Sequence, residues 1–205
     1  MENEKVINKR IREYSKGTDI AQTIVIFLLA LLVPTFLGQV LNKVFGQTSV
    51  IATNSQLIIG TIVNMALVMT GINLKGWSKI IGVVTMPSIA TILGGYVFGT
   101  SSVLMVYMIP AIWVGNFILV YSYKWIMLDK NKNYFLAGIV GIVLKVLVIF
   151  GVFNILNMFN VFPEKMVAML QTSMGLTQLI TASLGVVLTS IIYYAEKKYN
   201  KVTEA

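Results

Sequence analysis

GIVGIVLKVLVIFGVF, residues Gly138 to Phe153, contains fifteen apolar or glycine residues and one cation, Lys145. Extended to Tyr134 and Phe159, the run exceeds the ~20 apolar residues that an α-helix needs to cross a bilayer. The rest of the chain follows the same pattern. Of its 205 residues, 57% are hydrophobic and 12% charged, with a mean hydropathy of +0.81. A soluble domain carries about twice that share of charge. The expected fold is all-α: a polytopic membrane protein built as a six-transmembrane-helix bundle, with no separate soluble domain.

The six spans are expected at Ile20–Leu41, Gln56–Asn73, Ile80–Phe98, Val103–Trp125, Tyr134–Phe159 and Met174–Tyr194. Residues 1–19 and 195–205 form polar tails on either side of the 20–194 transmembrane domain. The first apolar segment is longer than a signal-peptide core and has no small-residue cleavage pattern, so removal is not expected. Aromatic residues such as Trp77, Trp125, Tyr134, Tyr193 and Tyr194 lie near span ends and suit the membrane interface.

Charge supplies the orientation. Thirteen of the sixteen Lys and Arg residues fall in the N-terminal tail, the second connection, the fourth connection counted with Lys124 at its edge, and the C-terminal tail. Only Lys43 and Lys165 fall on the other side, and Lys145 lies within a span. The positive-inside rule then puts both termini in the cytoplasm, with the protein in a bacterial plasma membrane. The cations are distributed over short connections between apolar runs, which argues against nucleic acid as a partner.

Lys145 is eleven residues beyond Tyr134, or ~16 Å at 1.5 Å per residue, close to mid-bilayer. A charge there costs at least ~2.5–3.5 kcal/mol on insertion scales, so the side chain should face protein or water. Gly138 and Gly141 share its helical face and admit a close neighbour. None of the other spans contains Asp or Glu. The partners of Lys145 are therefore neutral groups or a ligand, unless burial leaves the amine unprotonated. Asn64 and Asn116 lie at comparable depth in the second and fourth spans. Gln39, Asn42 and Gln56 lie at the outer ends of the first two spans, Asn154 and Asn157 beyond Lys145, and Gln171, Thr177, Gln178 and Thr181 at the start of the sixth. Together these groups would line an outward-facing polar cup. The candidate substrate-binding residues are Lys145, Asn116, Asn64, Gln178, Thr181, Gln39 and Asn154.

The outer connections suit lids over such a cup. The first, residues 42–55, is long and nearly uncharged; the second, GTSS at 99–102, is tight; the third contains Pro163 and an amphipathic stretch. Pro34, Pro87 and Pro110 within spans imply bends. Small residues at four-residue spacing, Thr91, Gly95 and Gly99 or Thr181, Gly185 and Thr189, imply close packing within the bundle or against a partner.

Several chemistries are excluded. The sequence contains no Cys and no His. Disulfides, thiolate-held clusters, histidine-ligated zinc and a serine–histidine hydrolase are therefore ruled out. No GxxxxGK[ST] phosphate loop is present, no inverted repeat is visible, and no intramembrane carboxylate is available for proton or sodium coupling. No enzymatic activity, metal or cofactor is expected.

The segments MGLTQLITASLGVVLTSII (Met174–Ile192) and IPAIWVGNFILV (Ile109–Val120), with the six-span layout and long first outer loop, resemble the membrane-embedded S components of energy-coupling factor transporters. That resemblance implies capture of a vitamin or similar small-molecule substrate near the outer face. A separate coupling membrane subunit and two ATPases would supply the work. The family often presents an AxxxA face on its first helix; this chain has Ala30, Pro34 and Gly38 at that spacing. The chain also resembles small multi-pass bacterial proteins sometimes labelled iron hydrogenase. Without cysteine it cannot hold a thiolate-ligated iron cluster. The alternative to a transporter subunit is a non-catalytic membrane partner or assembly subunit of a redox or envelope complex.

Overall fold

The computed structural model describes residues 2–46, 48–94 and 106–203, which are helical with short connections and include no strand. After a short amphipathic helix α1 (Glu2–Ile7), α2 (Lys16–Leu32) begins at Ser15, whose hydroxyl accepts from the Thr18 amide at 3.2 Å. Pro34 has no amide hydrogen, and its ring clashes with the carbonyl four residues back. The helix widens to a π turn over Val33–Leu37 and resumes as α3 (Gly38–Phe45). A single turn, α4 (Val50–Thr53), leads into α5 (Ser55–Asn73), then α6 (Trp77–Gly94) with Pro87 inside it. α7 (Ile109–Ser122) also ends in a π-helical segment, Tyr123–Asp129. α8 (Tyr134–Met158) starts at Asn133, whose side chain accepts from the Phe135 amide at 2.7 Å. α9 (Glu164–Met174) and α10 (Leu176–Thr203) complete the chain.

Among the described residues, five helical stretches are long and apolar enough to cross a membrane: Lys16–Phe45, Ser55–Asn73, Val106–Asp129, Tyr134–Met158 and Glu164–Lys197. α6 is apolar but shorter, over Trp77–Ile92. The end of the expected third span, the start of the fourth, the GTSS turn and the Gly95 and Gly99 packing positions lie outside the described residues. Threonine hydroxyls within these apolar helices bond back to carbonyls one turn earlier, as Thr61 does to Leu57 (2.7 Å) and Thr70 to Ala66 (2.8 Å), so these hydroxyls are paired within their own helix.

α2, α6, α7, α8 and α10 form an arc in which each packs on the next, and α5 lies inside it against α2, α6, α7 and α10. The α5–α10 seam is the most extensive, and glycine makes it so. A Cβ on Gly185 of α10 would lie 2.7 Å from Asn64 Cβ and 2.8 Å from the Met65 amide nitrogen. A Cβ on Gly60 of α5 would lie 2.8 Å from a Thr181 methyl carbon. The small-residue face at Thr181, Gly185 and Thr189 is thus an internal contact. Gly138 and Gly141 let α8 approach Tyr123, Ser122 and Val186 in the same way.

The two ends of the bundle differ. At the Lys- and Arg-rich end the N-terminal segment folds across the helices. Ile7 is fully buried, the Ile11 amide donates to Ile72 O at 2.9 Å, and Tyr14 donates to Asn73 Oδ1 at 3.0 Å. Arg10 pairs with Glu13 (2.6 Å) and Asp19 (2.7 Å), Lys79 with Asp19 (2.5 Å), Lys75 with Glu13, and Lys9 with Asp129 (2.7 Å). At the opposite end α9 is a packed cap. Its Met166, Leu170 and Met174 are buried with Ile149, Phe153 and Phe162, and the Phe153 and Phe162 rings stack at 5.6 Å. The last helix continues to Thr203, well into the stretch read from sequence as a tail.

Candidate functional site

Two prolines and one gap in packing border a polar-lined cavity. α5 and α8 make little direct contact, and between them lies about 100 Å³ of space accessible to the centre of a water molecule. One water needs ~10–15 Å³ by that measure, so the cavity accommodates a small solute. Pro34 and Pro87 form part of its wall, with apolar side chains such as Ile59, Val63, Ile109, Ile112 and Met174. Its polar lining comes from Gln56 and Asn64 on α5, Ser88 and Thr91 on α6, Asn116 on α7, Lys145 on α8, and Thr177, Gln178 and Thr181 on α10.

Lys145 lies in the middle of α8 with 2% of its surface exposed. Gly115 of α7 makes room for its stem, because a Cβ there would lie 3.2 Å from Lys145 Cγ. The amine reaches across the gap and donates to Asn64 Oδ1 at 2.5 Å. Asn64 is oriented from its other end: Nδ2 donates to Gly60 O at 2.8 Å and to Thr181 Oγ1 at 3.2 Å. Thr181 in turn donates to Thr177 O at 2.8 Å. This chain fixes the amide so that its oxygen faces the amine. An ammonium has three donors, and Asn64 is its one hydrogen-bonded acceptor among the described residues. None of the side chains lining the cavity is a carboxylate.

Asn116 reaches α6 beside Pro87. Its Nδ2 donates to Val84 O at 3.2 Å, one residue from the Val83 carbonyl whose helical partner Pro87 lacks. Beside it, Trp113 Nε1 donates to Ser88 Oγ at 2.7 Å, and Ser88 donates to Thr85 O at 3.0 Å. At the far mouth, Ser173 Oγ and Gln56 Oε1 are 3.4 Å apart. The Gln178 amide makes no side-chain hydrogen bond among the described residues and faces the cavity.

Five residues singled out from sequence, Lys145, Asn64, Asn116, Gln178 and Thr181, therefore meet at one cavity. Gln39 and Asn154 do not line it; Asn154 Nδ2 bonds back to Phe150 O at 2.6 Å. Among the described residues of the first expected outer connection, 42–55, none lines the cavity, although the adjoining Gln56 does, while α9 contributes Met174. Sequence reasoning did not single out Ser88, and took Thr91 only as a packing position. The only signal was a hydroxyl directly after an intramembrane proline.

A second buried lysine lies outside this cavity. Lys124 is fully buried in the π-helical segment after α7, where its amine donates to Lys9 O and, at 2.5 Å, to Leu74 O. It ties the N-terminal segment to the end of α5 and is not a solvated connection cation. Comparison of the chain with protein-family models, curated proteins and solved structures finds no match.

Proposed function

We propose that this chain is a substrate-capture subunit in the membrane, with six crossings and both termini cytoplasmic. It would bind a small metabolite carrying a carboxylate or phosphate in the Lys145 cavity. The observation that carries this reading is the convergence of polar side chains from four helices on one cavity with a mid-helix amine that has no protein carboxylate beside it. A buried cation of this kind is expensive to keep in hydrocarbon, and a ligand acceptor would compensate it. The segregation of paired cations to one bundle end supports the orientation. α6 is described over 18 residues, about 27 Å of helix, close to the ~30 Å hydrocarbon thickness. The sequence has no phosphate loop, so uptake would draw energy from partner subunits. A coupling membrane protein with two ATPases, as in energy-coupling factor transporters, fits that requirement.

The test is mass spectrometry of small molecules released by denaturing protein purified from native membranes. Wild-type protein should release a carboxylate- or phosphate-bearing metabolite. Lys145→Met should lose it, with rebinding weakened by about 1–3 kcal/mol. Recovery of no metabolite, together with a redox or envelope enzyme copurifying, would favour the assembly-partner alternative. Unchanged affinity in Lys145→Met would remove Lys145 from the site.

A further inference from the structure

A separate groove on the outer surface of the bundle, of about 210 Å³, lies between α7 and α8. Phe117, Tyr121 and Trp125 recur every four residues along one side, and Val140 and Leu144 form the other. The aromatic side is stiffened by stacking: Trp77 on Phe117 at 5.8 Å, and Phe117 on Tyr121 at 5.6 Å. Phe117 to Trp125 is eight residues, about 12 Å along the helix, close to the depth of one hydrocarbon leaflet.

The groove ends at the Lys- and Arg-rich end of the bundle, and two lysines are fixed there by backbone geometry. After the π-helical segment the chain turns through Asn131, at φ 51°. The turn is held by the Lys130 amide donating to Trp125 O at 2.9 Å and the Lys132 amide donating to Ile126 O at 3.0 Å. Trp125 and Ile126 are themselves groove residues. Both lysine side chains are exposed; Lys130 lies 3.2 Å from Asp129, which also pairs with Lys9. With one carboxylate against Lys9, Lys130 and Lys132, the rim keeps a positive excess. The half-exposed Trp125 indole adds an N–H donor at the same level.

We propose that this groove binds an acyl chain of an anionic phospholipid whose headgroup sits on Lys130 and Lys132. An apolar slot one leaflet deep with a cationic rim matches an amphiphile with a negative head. It does not match a zwitterionic lipid equally, since each basic residue near the surface favours the anionic head about fivefold. The site is independent of the Lys145 cavity and does not rest on the transport reading.

The experiment is native mass spectrometry of full-length protein released from nanodiscs containing equal phosphatidylglycerol and phosphatidylcholine. Wild type should retain phosphatidylglycerol at least fivefold over phosphatidylcholine. Lys130→Gln/Lys132→Gln should bring the ratio close to one. Leu144→Trp, at a half-exposed position, should fill the slot and lower retention of both lipids severalfold. Thermal unfolding of each variant checks that the fold is intact, and a variant that fails to fold is replaced by Lys132→Gln alone. Equal retention of the two lipids by wild type, or an unchanged ratio in the lysine variants, would overturn the proposal. A lipid-free dimer in place of lipid-bound monomer would overturn it equally.

Discussion

Replacing Gly185 with alanine tests whether the α5–α10 seam positions the site. The added methyl carbon would lie 2.7 Å from Asn64 Cβ, 2.8 Å from the Met65 nitrogen and 2.9 Å from the Asn64 carbonyl carbon. Two of these are backbone atoms, so no side-chain rotation relieves the clash. Ordinary carbon contacts are ~3.5–4.0 Å, and the helices must separate locally by roughly 1 Å. Over-packing of this size costs about 1–3 kcal/mol. The shift also lengthens the 3.2 Å Asn64–Thr181 bond, which holds the amide facing Lys145. Alanine is intrinsically the better helix former by up to ~1 kcal/mol, so propensity alone predicts the opposite sign. Gly151 on α8 supplies the control, because a Cβ there meets nothing within 4 Å. Thermal unfolding in one detergent should show Gly185→Ala several degrees below wild type and Gly151→Ala level with it or above. A Gly185→Ala protein as stable as Gly151→Ala would refute close packing as the reason for this glycine.

Three further outcomes are expected. Lys124→Met removes the donor shared by Lys9 O and Leu74 O, and should cost about 1–3 kcal/mol and speed tryptic cleavage between Arg10 and Lys16, read by limited proteolysis. The hydrogen bond from Arg10, and then that from Lys75, holds the Glu13 carboxyl below its usual value of 4.5. Its contribution to docking of the N-terminal segment is therefore complete above that pH and is lost as pH falls through the lowered value. Proteolysis against pH should show the segment loosening on acidification below about 4.5, and Glu13→Gln should abolish that part of the transition. Asn64→Asp puts a carboxylate within hydrogen-bonding reach of the Lys145 amine. It should leave unfolding temperature unchanged or raised while an anionic metabolite no longer copurifies; continued copurification would place the ligand elsewhere.

What the sequence revealed of this site follows from what the bilayer penalises. A polar side chain deep in an apolar run needs a reason to be there, so Lys145, Asn64 and Asn116 could be selected by depth alone. Depth does not give azimuth, however. Asn154 is nine residues beyond Lys145, which at 100° per residue puts it on the opposite face of α8, and there it bonds to its own helix. Strict periodicity would have removed it. Gln39 follows the π turn at Val33–Leu37, where the extra residue rotates a helical wheel by about 100°, so no α-helical projection past Pro34 holds its register. Ser88 was hidden because a helical hydroxyl normally bonds to its own backbone, and only the fold brings Trp113 to it.

The packing of the N-terminal segment was hidden for a related reason. Its charge density marked it as a polar tail; in the structure Val6 and Ile7 are core residues, and its charges pair across the bundle end. Counting cations by position orients a membrane chain but cannot tell a loop lysine from one buried on carbonyls, and Lys124 was counted as the former. Lys145 was legible because composition had already removed its alternatives. With no carboxylate in any other expected span, its protein partner had to be neutral, and Asn64 supplies that neutral oxygen at 2.5 Å. A neutral amide accepts from the amine and carries no charge of its own. An anionic ligand in the cavity, as proposed, would supply the charge that Asn64 cannot.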